Sequence, residues 1–250
     1  DIPVAFYGAL PQKFTNNERE IFVAHACDSY TLSNHQRKGL HNALAQFAYE
    51  IMKENDMKYV YAFHSENTYR STKKLGWKEH KHLQRFHIKT NTLPVAKVLN
   101  KFRWNNFYNL FFSKKVSQKA IEKLTSEHKD KFRLQFTDDF INYKNSFNTH
   151  YCIELEGCVF WMKIQAIMHV GMFYAPSNLA LQKAIKKLQR KAFLIGITEF
   201  LFQVDATSTM AKQLQTIVKP KESWLAGYLD FDPEIDLKDF IFTYTDLDTF

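Results

Sequence analysis

Between Ile21 and Met52 the pattern of apolar and polar positions changes period once. Ile21 to Leu32 is a mostly apolar, β-branched and aromatic run that reads as a strand. Ser33 to Gly39 is polar and basic. From Leu40 the apolar residues Leu40, Ala43, Leu44, Phe47, Ala48, Ile51 and Met52 recur at helical spacing and predict a half-buried helix. Upstream, Ile2 to Leu10 reads as a strand, and the polar turn Lys13 to Arg19, with Asn16-Asn17, joins it to the next as an antiparallel hairpin. Downstream, Lys58 to Phe63 is a short aromatic strand. Strand, helix and strand in this order predict a β-α-β unit with a parallel pair. Thr68 to Leu75 reads as a short helix ended by Gly76, and Trp77 to Lys89 as a further strand.

The pattern breaks at Leu93-Pro94. Phe102, Trp104, Phe107, Tyr108, Phe111 and Phe112 follow without clean periodicity and read as a packed aromatic linker. Beyond it the first organisation returns. A short helix is expected over Asp138 to Tyr143, and a hairpin from Tyr151 to Leu155 and Val159 to Ile164 around Glu156-Gly157. Ile167 to Tyr174 is a strand. The following helix carries Leu181, Ile185, Leu188, Ala192 and Ile195 on its stripe and ends at Gly196. Phe200 to Val204 is a strand and Ser208 to Val218 a helix. Trp224 to Phe231 and Phe240 to Tyr244 complete the strands. The division expected is 1–92, a linker at 93–115, and a second unit at 116–250.

Composition narrows the partners. The chain has 250 residues, 45% of them hydrophobic, with 23 Phe and 12 Tyr, so a large core is available. Lys and Arg number 34 against 26 Asp and Glu, a net charge of +8 that favours anionic partners. Cys27, Cys152 and Cys158 are too few and too scattered for a disulfide framework or a zinc site, so no metal is expected and a reducing, cytoplasmic setting fits best. No stretch reads as a signal peptide or a membrane span.

Charge matters most at the turn before the central helix. A turn ending in Gly39 that opens a helix presents free backbone N–H groups and the positive end of the helix dipole. Arg37 and Lys38 stand at the same spot. Such a site suits a phosphate or pyrophosphate; an ordinary β-α turn with a basic tip has the same local sequence.

The run Gln36-Arg37-Lys38-Gly39-Leu40-His41 resembles the acyl-CoA-binding motif of the GCN5-related N-acetyltransferases, which is Arg or Gln, two residues, Gly, one residue, then Gly or Ala. The second family motif is matched at its end by Leu75-Gly76-Trp77 and at its small position by Thr68. The resemblance covers Asp1 to about Thr90. It lacks the family's usual first strand and two helices, so an N-terminal part is expected to lie outside this sequence. It implies an α/β (α+β) fold with a mixed, mostly antiparallel sheet flanked by helices, in two tandem units of which the second is degenerate. Tandem units and the Asp246-Leu-Asp-Thr-Phe250 ending are similar to double-domain acyltransferases of surface-polysaccharide biosynthesis.

The resemblance further implies acetyl-CoA or another short acyl-CoA as co-substrate and a primary amine as acceptor, such as an amino sugar or nucleotide sugar. Backbone groups of Ser29, Tyr30 and Thr31, at the strand end before Leu32, would pair with the pantetheine arm. N–H groups from Arg37 to His41 would hold the pyrophosphate, with Gln36 opening the motif. Several positions depart from the family. His41 replaces the second Gly or Ala. Ser65 stands at the cofactor-contacting Asn, with Asn67 two residues on. Thr72 stands at the usual Tyr general acid, with Tyr69 one turn earlier. Candidate bases are Asp28, His25 and His64; a carboxylate in an apolar strand needs a partner or a role, which favours Asp28. In the related aminoglycoside acetyltransferases the chain's own terminal carboxylate enters the site, which makes Phe250 a candidate. These departures also fit a non-catalytic module that binds CoA, a nucleotide sugar or a protein. Nucleic-acid binding ranks last, because the positive charge is spread over both halves.

Overall fold

A computed structural model describes residues 2–64, 66–102, 105–113, 115–127, 130–147, 149–232, 235–247 and 250; among these, the side chains of 66, 67 and 105–107 are not described. The first half contains β1 (Ala5–Thr15), β2 (Glu20–Thr31), α1 (Leu40–Glu54), β3 (Tyr59–His64), α2 (Glu66–Thr72) and β4 (Lys78–Lys89). Then come α3 (Pro94–Lys101), α4 (Gln118–Leu124), the two-residue β5 (Arg133–Leu134) and α5 (Asp138–Asn145). The second half has β6 (His150–Leu155), β7 (Cys158–Ile164), β8 (Met168–Tyr174), α6 (Asn178–Ile195), β9 (Glu199–Asp205), α7 (Thr209–Gln215) and β10 (Lys221–Asp230).

Among the described residues ten strands form one mixed, mostly antiparallel sheet in the order β5-β1-β2-β3-β10-β4-β9-β8-β7-β6. Two pairs are parallel, β2 with β3 and β8 with β9, and each is bridged by its crossover helix, α1 or α6. From either end inward the sheet presents a hairpin, a parallel pair and a last strand. Those last strands are exchanged: β10 pairs with β3, and β4 pairs with β9. The first half therefore owes one wall to a strand more than 150 residues away in sequence. Buried residues fall into four clusters, two of which draw on both halves: Phe14, Tyr59 and Tyr61 pack with Phe240 and Phe242, for example.

Several sequence expectations are corrected. β1 runs to Thr15, not Leu10, because the ladder with β2 continues unbroken from Gly8↔Cys27 to a tight turn at Asn17. Pro11 is accommodated because β5 covers only Phe14 and Thr15 on the other edge of β1, so the missing N–H leaves no ladder bond unmade there. The buried face of α1 is Ala45, Tyr49 and Met52, while Phe47 is 68% exposed. Tyr49 wins that face because its hydroxyl accepts from Trp77 Nε1 at 2.8 Å and its ring meets Tyr7 edge-on. The region read as linker contains the helix α3. Phe240 to Tyr244 forms no strand; it makes isolated bridges, Phe132↔Phe240 and Val204↔Thr243.

That last segment decides what the second half can do. Pairing of β8 with β9 ends at Val170↔Phe202. Beyond it the chain's own residues enter the gap, where Asp205 N–H donates to the Phe242 carbonyl at 3.2 Å; Tyr244 also bonds His169 Nδ1, within the paired stretch, at 2.9 Å. Phe250 seals the space. Its ring covers Gly171, where a Cβ would lie 2.2 Å from the ring, and stands edge-on to His150 and Trp161. Only about 30 Å³ of void remains between Met172 and Asp246. Gly171→Ala is expected to cost about 1–3 kcal/mol through overpacking, read as a lower urea midpoint at unchanged slope. In a Phe250→Ala background that cost should vanish; an equal cost in both backgrounds would contradict the packing described.

Candidate acyl-CoA site

The equivalent gap in the first half is open. Parallel pairing of β2 and β3 stops at His25↔Tyr61. β3 remains held by β10 up to Leu225↔His64, and β2 by β1 up to Ala5↔Thr31, so the two strands diverge. A bulge helps turn β2 aside: Phe6 pairs with Tyr30 and Gly8 with Cys27, leaving Asp28 and Ser29 opposite the single Tyr7. Asp28 sits at φ 40°, a conformation that Asp tolerates better than most residues. Gly8 is required across from it, since a Cβ there would come within 2.9 Å of the Cys27 carbonyl oxygen.

The resulting cleft has a volume of about 430 Å³. Its walls are His25 to Ser29 of β2, Ala62 to His64 of β3, and Thr68, Thr72 and Trp77 beyond. Tyr7 and His41 close one side, and Trp224 and Leu247 reach in from the second half. The edge of β2 beyond His25 that faces the cleft carries no strand, so its backbone groups are available to an extended ligand.

At the end of that edge lies the basic turn. Gln36 Nε2 donates to the Thr31 carbonyl at 3.2 Å and ties the turn to the strand end. Arg37 (φ 62°) and Gly39 (φ 77°) adopt the left-handed conformation that aims the chain into α1. Gly39 is the N-cap and has no side chain to accept from the helix. By contrast α4, α5, α6 and α7 are capped by Ser117, Thr137, Ser177 and Ser208, each accepting from a helix N–H. The N–H groups at the start of α1 are thus left for an outside acceptor, with the exposed Arg37 and Lys38 beside them. Leu40 is half-buried. At the α6 start the Ser177 hydroxyl takes up one such donor, the Ala180 N–H.

The sequence-derived residues divide as follows. Asp28, Ser29, His41 and Thr68 line the cleft. Tyr30 and Thr31 continue the β2 edge, and Leu32 closes onto the Val4 carbonyl at 2.9 Å. Gln36 to Leu40 form the turn and the helix start. Tyr69 is buried beside the cleft, its phenol held above the usual range by burial and by Glu79, which its hydroxyl meets. Phe250 lies in the second half with its carbonyl accepting from Lys144, not among the cleft walls. Ser65 and the side chain of Asn67 lie outside the described residues. The sequence reading missed Tyr7, Trp224 and Leu247; the last two are brought in by the strand exchange, which leaves no local signal.

Two buried imidazoles face the cleft. His25 stacks on Tyr61 at 4.9 Å, and its Nδ1 has no hydrogen-bond partner. His64 lies between Trp77 and Tyr69, with Nε2 unpartnered. Gly227 makes room for that ring, as a Cβ would fall 2.7 Å from it. Burial holds both imidazoles down at about 4, with the Lys144 charge adding to the effect at His25. Both are neutral near pH 7 and able to accept a proton. Among the described residues no group of His, Cys, Asp and Glu is placed to hold a metal ion, and no helix is long and apolar enough to cross a membrane.

Solved structures share this fold. The chain superposes on a GCN5-related N-acetyltransferase from Kribbella flavida with a TM-score of 0.60 and 12% identity, over 92% of this chain and 57% of that one. A protein of unknown function from Enterococcus faecalis V583, described as a probable N-acyltransferase, gives 0.60 and 10% over 91% and 59%. Saccharomyces cerevisiae N-myristoyltransferase with bound myristoyl-CoA gives 0.52 and 10% over 90% and 66%. The chain thus spans less than two thirds of each of these proteins, and identities this low establish the shared fold alone. No protein-family model and no curated protein matches the sequence.

The buried imidazoles carry a pH signature. The unfolded chain binds a proton at His64 below about pH 6.5, whereas the folded chain does so only near 4. Wild type should therefore lose stability relative to His64→Gln by up to about 1.4 kcal/mol per pH unit between those values. Urea melts of both proteins at pH 7.5 and 5.0 test this, and parallel losses would contradict it.

Proposed function

We propose that the chain transfers an acetyl or other short acyl group from acyl-CoA to a primary amine. The observation that carries this reading is the uncapped start of α1 standing at the end of an unpaired β2 edge. Together they offer a pyrophosphate cradle and a strand-like track for pantetheine, end to end. The N–H groups from Arg37 to His41 hold the pyrophosphate, and Lys38 and Arg37 add charge for the 3′-phosphate. Backbone groups of Ser29 to Thr31 pair with the pantetheine arm. A β2 N–H at the bulge polarises the thioester carbonyl where negative charge develops, a contribution of about 10²–10³ in rate.

In this reading Asp28 anchors the acceptor as its ammonium form. His64, neutral and with Nε2 unpartnered, takes one ammonium proton, which frees the nitrogen lone pair to attack the thioester carbon. The C–N bond forms, the C–S bond breaks, and the second proton of the attacking nitrogen passes to the departing sulfur, so that CoA leaves as its thiol. The acceptor we favour is an amino sugar, which the Trp224 wall and the Asp28 carboxylate suit by stacking and charge. Tandem units, 1–92 and 116–250 about a linker at 93–115, form the working whole, because the second supplies Trp224 and Leu247. One observation favours a module without turnover: the Tyr69 hydroxyl is turned to Glu79, so this phenol is not aimed at a leaving thiolate.

Calorimetric titration with acetyl-CoA and dephospho-CoA, followed by thiol release with an amino-sugar panel, separates these readings. Expected are micromolar binding weakened by loss of the 3′-phosphate, and thiol release dependent on an amine. Asp28→Asn keeps a residue that tolerates the bulge conformation, and His64→Gln keeps the volume. Each should lower kcat by about 10²–10⁴ while leaving acetyl-CoA binding intact. Binding without thiol release would establish the module; no binding would overturn the reading.

A further inference from the structure

α3 is docked on its inner side, and its outer side carries exposed apolar residues. On its inner side Ala96 packs so closely on Gly196 that a Cβ at Gly196 would fall 2.1 Å from the Ala96 carbonyl oxygen. Asn100 donates to the Gly196 carbonyl at 3.0 Å and the Ala166 carbonyl at 3.3 Å. The apolar stripe at i, i+3, i+4 and i+7 points outward: Val95 is 71% exposed, Val98 56% and Phe102 69%, with Leu99 beside them. Leu194 of α6 extends the patch across an apolar groove of about 280 Å³. Lys97 and Lys101 flank the stripe, and no acidic residue lies on α3 or along either groove beside it.

We propose that this face docks on the surface of an anionic phospholipid bilayer, with α3 lying in the headgroup plane. An exposed apolar stripe bordered along one side by lysines is an arrangement that interfacial helices use, with Phe and Val entering the acyl boundary and Lys meeting lipid phosphates. The net charge of +8 adds long-range attraction to such a surface. A second copy of the chain fits less well, because two-fold apposition of the stripe would bring Lys97 and Lys101 against their own counterparts.

Co-sedimentation with vesicles of phosphatidylcholine alone, and of phosphatidylcholine mixed with phosphatidylglycerol, tests the proposal. The chain should pellet with the mixed vesicles and far less with the neutral ones. Lys97→Glu with Lys101→Glu should weaken that binding by at least about tenfold. Val98→Asp with Phe102→Asp should abolish it, while both variants keep the wild-type urea midpoint within error, since all four side chains are exposed. Absence of binding to mixed vesicles, or binding unchanged by the aspartates, would overturn the proposal. So would a wild-type dimer in sedimentation velocity that the aspartates dissolve, which would assign the face to a second copy.

Discussion

Backbone pairing between β2 and β3 stops at His25 and Tyr61, and the candidate site depends on that break. A gap between parallel strands exposes N–H and C=O groups that a compact fold ordinarily satisfies. It persists here because each strand is held from its far side, β2 by β1 and β3 by β10. The bulge at Asp28 and Ser29 turns β2 away, and Gly8 lets it do so without a clash. The same break recurs between β8 and β9, where the chain closes it with Phe242 to Tyr244 and the Phe250 ring. One half leaves its backbone groups unpaired by a neighbouring strand and the other satisfies them internally.

The helix starts tell the same story. Gly39 caps α1 without a side-chain acceptor, whereas Ser177 accepts from Ala180 N–H at 3.1 Å at the start of α6. An internal cap is worth about 1 kcal/mol to a helix, so a Gly N-cap forgoes some stability and leaves donors free. Open edge and uncapped helix fall together in the first half, and their counterparts are plugged and capped in the second. Asp205, which follows the last parallel pairs of β9 as His64 follows those of β3, is held by Lys81 at 2.5 Å.

Much of this was legible in the sequence because it is local. The hairpin, the β-α-β crossover, the Gly39 turn and the Gly76 stop are set by turn residues and hydrophobic period within a few positions of each other. What escaped is of two kinds. Long-range pairing leaves no local mark: nothing near Trp224 shows that β10 inserts between β3 and β4, or that Leu247 reaches the cleft. Side-chain chemistry also overrode simple counting. Tyr49 took the buried face of α1 through its hydrogen bond to Trp77, leaving Phe47 outside. In α3 the period was present, but its apolar stripe faces out and was hidden among the irregular aromatics that follow.

The central claim is that the first break, and not the second, receives acyl-CoA. Amide hydrogen exchange followed by NMR or mass spectrometry, with and without saturating acetyl-CoA, tests it most directly. Protection is expected at Ser29 to Thr31 and from Arg37 to Asn42, with exchange at the start of α6 unchanged. Protection at the α6 start, or no change along β2 and the α1 turn while acetyl-CoA is bound, would contradict it.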